Sequence, residues 1–366
     1  MRIVRLAMRD FRSYAAADVE LGPGVTVVTG PNGAGKTNLL DALYFGCTGR
    51  SSRTTNEREL VRFGASVVRV EVTTEAPDGP HELSVGFAPG EPKRMTADGV
   101  RVERLLDVPG RPLVSVFLPD RLELVKGTPS LRRAHLDQLV AALWPARVAT
   151  RRAYAQALAQ RNALLARGAA AAASLPAWDR ELARHGIALM SDRAAAAGLV
   201  VERFAARAEA LGLDGEPAVA YRPRSRATAA EGLAAELADR RTQDLERGFT
   251  GHGPHRDDLL LTREGRELRA YGSQGQQRLG LLALLLAERE AIAATREATP
   301  VMLLDDVMSE LDSDRRARLV GLLRGHGQSV ITATDLEHVP GAREPDVTRL
   351  AVADGHVLSG AEADTS

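Results

Sequence analysis

The chain predicts a two-lobed α/β fold: a central sheet around a phosphate-loop helix, a flanking antiparallel sheet, and an inserted α-helical arm. Three observations predict it. The stretch GPNGAGKT, Gly30 to Thr37, follows the β-branched run Val25–Thr29 and precedes Asn38–Tyr44, whose apolar residues fall at helical spacing. That is the strand–loop–helix context the G-x-x-x-x-G-K-[ST] motif requires. Around it, the first third alternates short β-type runs with turns, and the middle third turns to long alanine-rich helical patterns.

The motif dictates its chemistry. Gly30, Gly33 and Gly35 admit backbone conformations closed to residues with a Cβ, so that successive N–H groups converge on phosphate oxygens at a helix N-terminus. Pro31, Asn32, Ala34 and Asn38 complete the expected ATP-contacting loop. Lys36 brings a point charge to the β- and γ-phosphates, and Thr37 offers a hydroxyl to Mg²⁺.

Composition narrows the setting. With 366 residues the chain is long enough for a large core and two lobes. A single cysteine, Cys47, excludes an internal disulfide and predicts a reducing cytoplasm. Met1–Leu6 has no apolar leader pattern, and the longest apolar run, Leu279 to Ala287, is too short to span a bilayer, so no membrane role is expected. The 48 basic and 48 acidic residues cancel. Overall charge therefore does not announce a nucleic-acid partner.

Taken in order, Ile3–Arg9 and Ala17–Leu21 read as short strands around Asp10-Phe11-Arg12-Ser13-Tyr14. The polar loop Gly49–Thr55 is expected close enough to the nucleotide to touch it. Ser66–Thr74, Glu82–Phe87 and Lys93–Ala97 read as an antiparallel meander around Pro77-Asp78-Gly79 and Ala88-Pro89-Gly90. Leu131–Leu143, Ala146–Ala166 and Ala177–Leu211 are helical, the last a single helix of about 35 residues, or roughly 50 Å. Two long helices joined by the small residues around Gly168-Ala169 predict an arm. The cluster Arg222, Arg224 and Arg226 reads as a solvated loop, while Arg132 and Arg133 suit either a DNA contact or ion pairs that brace the arm.

Leu259–Thr262 is a strand with a turn-rich entry. Ser273, Gln274, Gly275 and Gln276 then stand directly before an apolar helix, which makes a second anion-facing helix start. Val301–Leu304 reads as a buried parallel-type strand ending in Asp305-Asp306. Asp305 is placed to coordinate Mg²⁺ beside Thr37, and Asp306 to orient or deprotonate the attacking water. Ser309-Glu310-Leu311-Asp312 and the strand Ser329–Thr332, followed by Thr334-Asp335, complete the series.

That order resembles the ABC-type ATPases: Walker A, signature loop, Walker B, D-loop and switch strand. Lys36 and Ser273 stand 237 positions apart, too far for a transporter's compact subdomain and too near for the long coiled coil of SMC proteins. Pro119-Asp120, Leu124-Val125-Lys126-Gly127, Pro129, Arg132-Arg133 and Leu136-Asp137 resemble one pattern of the RecF family, and Leu304-Asp305-Asp306 with Ser309–Asp312 and Arg315 resembles a second. The Asp10–Tyr14 start and Gly253-Pro254-His255-Arg256-Asp257-Asp258 are similar to it as well. Thr128 and His135 depart from the first pattern.

The resemblance covers essentially the whole chain and implies an ABC-type, SMC-like ATPase head. It implies an ATP-dependent DNA-binding protein of recombinational repair in the cytoplasm, at the nucleoid, acting on gapped single-stranded/double-stranded DNA with RecR and RecO to help load RecA. It also implies an ATP-induced homodimer in which Ser273, Gln274, Gly275 and Gln276 of one copy close on the nucleotide held by Lys36 of the other. Slow hydrolysis through Asp306 and a switch role for Thr334 are expected with it; no Q-loop glutamine is present, and Phe117-Leu118-Pro119-Asp120 is nearest by position. The expected lobes are 1–118 with Walker A, 119–247 as the arm, and 248–366 with the signature loop and Walker B. An SMC-like DNA-bridging ATPase and a transporter subunit are the alternatives; a GTPase or kinase lacks both the N-K-x-D motif and a use for the S-x-G-Q element.

Overall fold

The computed structural model describes residues 1–359. In chain order, β1 (Arg2–Phe11) and β2 (Tyr14–Glu20) form a hairpin, followed by β3 (Val25–Thr29) and α1 (Lys36–Thr48). Then come β4 (Val68–Ala76), β5 (Gly79–Phe87), β6 (Arg94–Ala97), β7 (Val100–Val102) and β8 (Val114–Phe117). The middle holds the short α2 (Glu123–Lys126), α3 (Pro129–Leu143), α4 (Val148–Leu165), α5 (Leu175–Ala210), β9 (Ala218–Arg222), α6 (Ala230–Asp239) and α7 (Arg241–Arg247). It continues through β10 (Asp258–Arg263), β11 (Arg266–Glu267), α8 (Leu268–Tyr271) and α9 (Gln274–Arg296). β12 (Val301–Leu304), α10 (Ser313–Arg324), β13 (Ser329–Thr332), β14 (Thr348–Ala353) and β15 (His356–Ser359) end the described chain.

By packing, the chain divides into Met1–Arg121 with Arg296–Ser366, and Leu122–Thr295. The first unit carries two six-stranded sheets. One is the antiparallel series β2-β1-β4-β5-β6-β7, and the other runs β15-β14-β3-β13-β12-β8, with β14, β3, β13, β12 and β8 parallel. Helix α1 is buried on nearly every side, its polar Lys36, Asp41 and Thr48 included. Its core partners come from both sheets, Val28, Val330 and Leu303 from one and Val68, Val70 and Val72 from the other. Gly46 permits the approach, since a Cβ there would lie 2.4 Å from Val72 Cγ2. The central strands thus deliver the loops after β3, β12 and β13 to one edge, where open α/β sheets build their sites.

The second unit contains the arm. The 36-residue α5 matches the single long helix expected, and it packs with α4 and α6 around Tyr154, Leu182, Leu189, Leu233 and Leu237. The segment 248–295 differs from the sequence division, which grouped it with the Walker B lobe. It packs with the arm because β10 pairs with β9 from Asp258↔Arg222 to Thr262↔Ala218. Buried ion pairs fix this unit. Arg161 donates to Asp179 (2.7 Å) and Asp244 (2.7 Å), and Arg193 to Asp137 (2.8 Å) and Asp257 (3.1 Å).

Two open alternatives of the sequence resolve here. Arg132, 2% exposed, reaches both carboxylate oxygens of Asp258 at 2.6 and 2.9 Å, and Arg133 donates to the Asp257 carbonyl at 2.8 Å. Both brace the unit. The atypical His135 faces Glu288, with Nε2 2.7 Å from Oε1.

Candidate nucleotide site

The loop after β3 takes the form its glycines allow. Gly30, Gly33 and Gly35 have φ of 149°, 84° and 119°, which is strained for any residue with a Cβ. A Cβ on Gly30 would lie 2.2 Å from the Val352 carbonyl oxygen, and one on Gly35 2.9 Å from the Tyr14 hydroxyl. Gly35 is the N-cap of α1 and brings no capping side chain, so the first N–H groups of the helix remain for an anion. Tyr14 steadies this corner by donating to the Gly35 carbonyl at 3.0 Å. Burial holds its phenol far above the usual range.

Around the loop lies a cavity of ≈ 370 Å³, lined by residues that include Asn32, Lys36, Thr37, Arg53, Asp305 and Asp306. Lys36 Nζ donates to the carbonyls of Gly30 (2.7 Å) and Pro31 (3.0 Å). Burial lowers its pKa, and the charges of Asp306 and Asp305 act against that. Thr37 Oγ1 lies 3.0 and 2.9 Å from the two oxygens of Asp305. A hydroxyl and a carboxylate so placed are the hard oxygen donors Mg²⁺ takes. Among the described residues there is no cluster of three or more His, Cys, Asp or Glu that would hold a metal alone, so such an ion would draw its remaining ligands from phosphate and water.

Walker B is held from beneath. Asp305 N donates to the Phe117 carbonyl of β8 (2.9 Å), and Thr332 Oγ1 donates to Asp305 Oδ1 (2.7 Å) while accepting from Asp306 N (2.9 Å). Asp306 is left-handed, with φ of 48°. Thr334, two residues beyond β13, has its Oγ1 3.0 Å from His338 Nδ1. Pro119 reaches the cavity; the Asp120 side chain lies outside the described residues.

The signature element belongs to the second packing unit. Ser273 N donates to Gln276 Oε1 (2.8 Å), and Ser273 Oγ accepts from Gln276 N (3.3 Å), a reciprocal cap at the start of α9. A Cβ on Gly275 would meet nothing within 4 Å.

The polar loop Gly49–Thr55, expected from the sequence to reach the nucleotide, brings Arg53 to the cavity; the residues that hold it there are visible only in the structure. Buried Asp41 accepts from Arg12 (2.9 Å), Ser51 Oγ (2.9 Å), Ser52 N (2.8 Å) and Ser52 Oγ (2.8 Å). This tether brings Arg53 to the cavity, where it donates to Asn38 Oδ1 (3.1 Å), and Asn38 in turn donates to Ser13 Oγ (2.9 Å).

A family model described as an AAA domain matches residues 5–97. Over its full length the chain is 39% identical to the DNA replication and repair protein RecF of Myxococcus xanthus, 99% of which is covered. It is 36% identical to the protein of that name from Streptomyces avermitilis, over 98% of this chain and 99% of the other. Among solved structures, the recombination mediator protein RecF of the RecFOR pathway, in its RecF-ATP form, superposes with a TM-score of 0.85 at 27% identity, covering 98% of both chains. An SMC head shares the fold, with a TM-score of 0.61 at 17% identity and full coverage of both. Architecture and sequence agree: an ABC-type, SMC-like ATPase head with a flanking antiparallel sheet and a helical arm, and the chain belongs to the RecF family of DNA replication and repair proteins.

Proposed function

We propose that this chain is an ATP-switched DNA clamp of recombinational repair, which binds gapped single-stranded/double-stranded DNA as an ATP-induced dimer and hydrolyses ATP slowly. The observation that carries the reading is the convergence of Lys36, Thr37, Asp305 and Asp306 on one cavity below an uncapped helix start. The solved RecF-ATP structure supports ATP as the nucleotide.

In this mechanism the N–H groups of the Gly30–Thr37 loop and the Lys36 ammonium bind the β- and γ-phosphates. Thr37 and Asp305 would hold Mg²⁺, which would supply positive charge against that developing on the phosphates. Asp306 orients the attacking water and accepts its proton. An aspartate reaches one methylene less far than the glutamate common in transporter ATPases, so the water is less well placed and turnover is slow. Thr334 donates to the γ-phosphate through its hydroxyl. Ser273, Gln274, Gly275 and Gln276 of a second copy complete the site, so that ATP joins two protomers. RecR, RecO and RecA are the partners the family assigns, and the cytoplasm, at the nucleoid, is the expected place of action.

The test is solution mass by light scattering for the wild type and S273R, each with Mg²⁺ and either ATP or ADP, with gapped-DNA binding followed in parallel. Dimerisation and DNA retention only with ATP, both lost in S273R, are the expected outcome. Mass and DNA affinity indifferent to nucleotide would refute the clamp, and DNA bridging without ATP would favour a structural bridging protein instead.

A further inference from the structure

Phe63 is 99% exposed and stands on a turn whose backbone is held in place. Ala65 N donates to the Arg62 carbonyl (2.9 Å), closing a turn around Phe63-Gly64, with Gly64 at φ of 84°, as the third position of a type II turn requires.

The base of this turn is pinned to β1. Arg62 N donates to the Asp10 carbonyl (2.9 Å) and Arg62 Nε to Asp10 Oδ1 (2.7 Å), and Phe11 bridges Val61. The chain leaves the β1 ladder at Asp10 and rejoins it at Arg69, paired opposite Arg9. The excursion thus projects from a strand end that carries two arginines side by side. Asp10 is taken by Arg62 and Glu71 by Arg69 (2.7 Å), while exposed Arg9 and Arg58 have no acidic partner among the described residues. An exposed aromatic on a turn whose flanking chain carries the exposed Arg9 and Arg58 fits a nucleic acid: the ring stacks on a base face and the arginines take phosphates. A base face is open to such a ring where bases are unpaired.

The turn also shares its frame with the nucleotide cavity. Arg12 N donates to the Leu60 carbonyl (2.8 Å), and the same Arg12 side chain holds Asp41. Next to it Ser13 accepts from Asn38 (2.9 Å), and Tyr14 from β2 supports Gly35. A load on the turn is therefore applied to the segment that supports the phosphate loop.

We propose that the Arg62–Ala65 turn is the contact by which this chain reads unpaired bases, with Phe63 as the stacking platform and Arg9 and Arg58 as phosphate contacts. The inference rests on the DNA-binding reading above and names the surface that performs it.

The test measures equilibrium binding of the full chain, with ATP and Mg²⁺, to a gapped DNA and to a blunt duplex of equal length, for wild type, F63A, F63W and R9Q. Phe63 is 99% exposed and Arg9 is also exposed, so these variants remove no buried contact and are expected to fold as the wild type does. F63A is expected to weaken gapped-DNA binding about tenfold or more and leave the blunt duplex unchanged, with F63W near wild type. R9Q is expected to lower the slope of log affinity against log salt by about one. Unchanged gapped-DNA binding by F63A, an equal loss on the blunt duplex, or a loss confined to ATP-dependent self-association would each overturn the assignment. A wild type that holds neither DNA would instead bring down the DNA-binding reading beneath it.

Discussion

Thr332 ties the two acidic residues of Walker B together, donating to Asp305 Oδ1 at 2.7 Å and accepting from the Asp306 amide at 2.9 Å. One hydroxyl thereby aims the carboxylate facing Thr37 and fixes the left-handed backbone of Asp306. T332V keeps the shape and removes both bonds. Outer-shell partners of this kind are worth about 10–100-fold in metal affinity. The Mg²⁺ concentration for half-maximal ATP hydrolysis should rise by that factor in T332V and return near wild type in T332S. An unchanged Mg²⁺ titration in T332V would show that Asp305 needs no such support.

Tyr14 and Gly35 form a matched pair at the start of α1, one giving a hydroxyl and the other the space for it. Y14F loses a single neutral hydrogen bond, about 1 kcal/mol, and should lower the denaturant midpoint slightly with ATP affinity nearly intact. G35A is different in kind. It places a Cβ at φ of 119° and 2.9 Å from the phenol oxygen, so ATP binding should be lost in calorimetry while circular dichroism stays native. If G35A binds ATP as tightly as Y14F, the loop is less constrained than its contacts indicate.

How much of this was legible depends on the range of the interaction. The phosphate loop, α1, β12 and β13 were readable because buried parallel strands and a motif-bearing turn leave local apolar runs. β13 runs from Ser329 to Thr332, the residues expected from sequence. β8 and β15 are short edge strands with no distinctive period, and β14, though internal and buried at Leu350–Val352, is a run too short to stand out in the sequence. Thr332 looked like any β-branched strand residue, since its role exists only where β13 lies beside β12. The packing of 248–295 with the arm was likewise hidden, because β9 and β10 pair across a long sequence gap.

Asp41 supports a prediction about that long-range layer. Its side chain is fully buried, with Arg12 15% exposed against it and Ser51 and Ser52 on its other faces. D41A leaves the guanidinium without its partner, a change that costs about 3–5 kcal/mol in buried pairs. The variant should unfold at distinctly lower denaturant. In whatever fraction stays folded at low temperature, ATP affinity should fall, because the loop that brings Arg53 to the cavity loses its tether. Wild-type stability in D41A would mean that this pair adds nothing net.

His255 gives the arm a pH dependence whose sign follows from its surroundings. Its Nε2 donates to the Thr250 carbonyl at 2.9 Å, and in the neutral ring its Nδ1 accepts from the Tyr154 hydroxyl at 2.8 Å. Burial lowers its pKa from 6.5 to about 4, the nearby Arg256 and Arg133 pushing the same way. Below pH 6.5 the unfolded chain therefore takes up a proton that the folded chain refuses until about pH 4. Stability is complete above 6.5 and drains away as pH falls through that window, by up to about 3 kcal/mol from this group. Asp257, whose pKa is raised chiefly by burial, acts in the opposite sense, so the comparison must isolate the histidine. H255Q keeps a donor and an acceptor but cannot titrate. Denaturant unfolding at pH 7 and pH 5 should show a large loss for the wild type and a distinctly smaller one for H255Q. Equal losses in the two proteins would assign the acid sensitivity to another group.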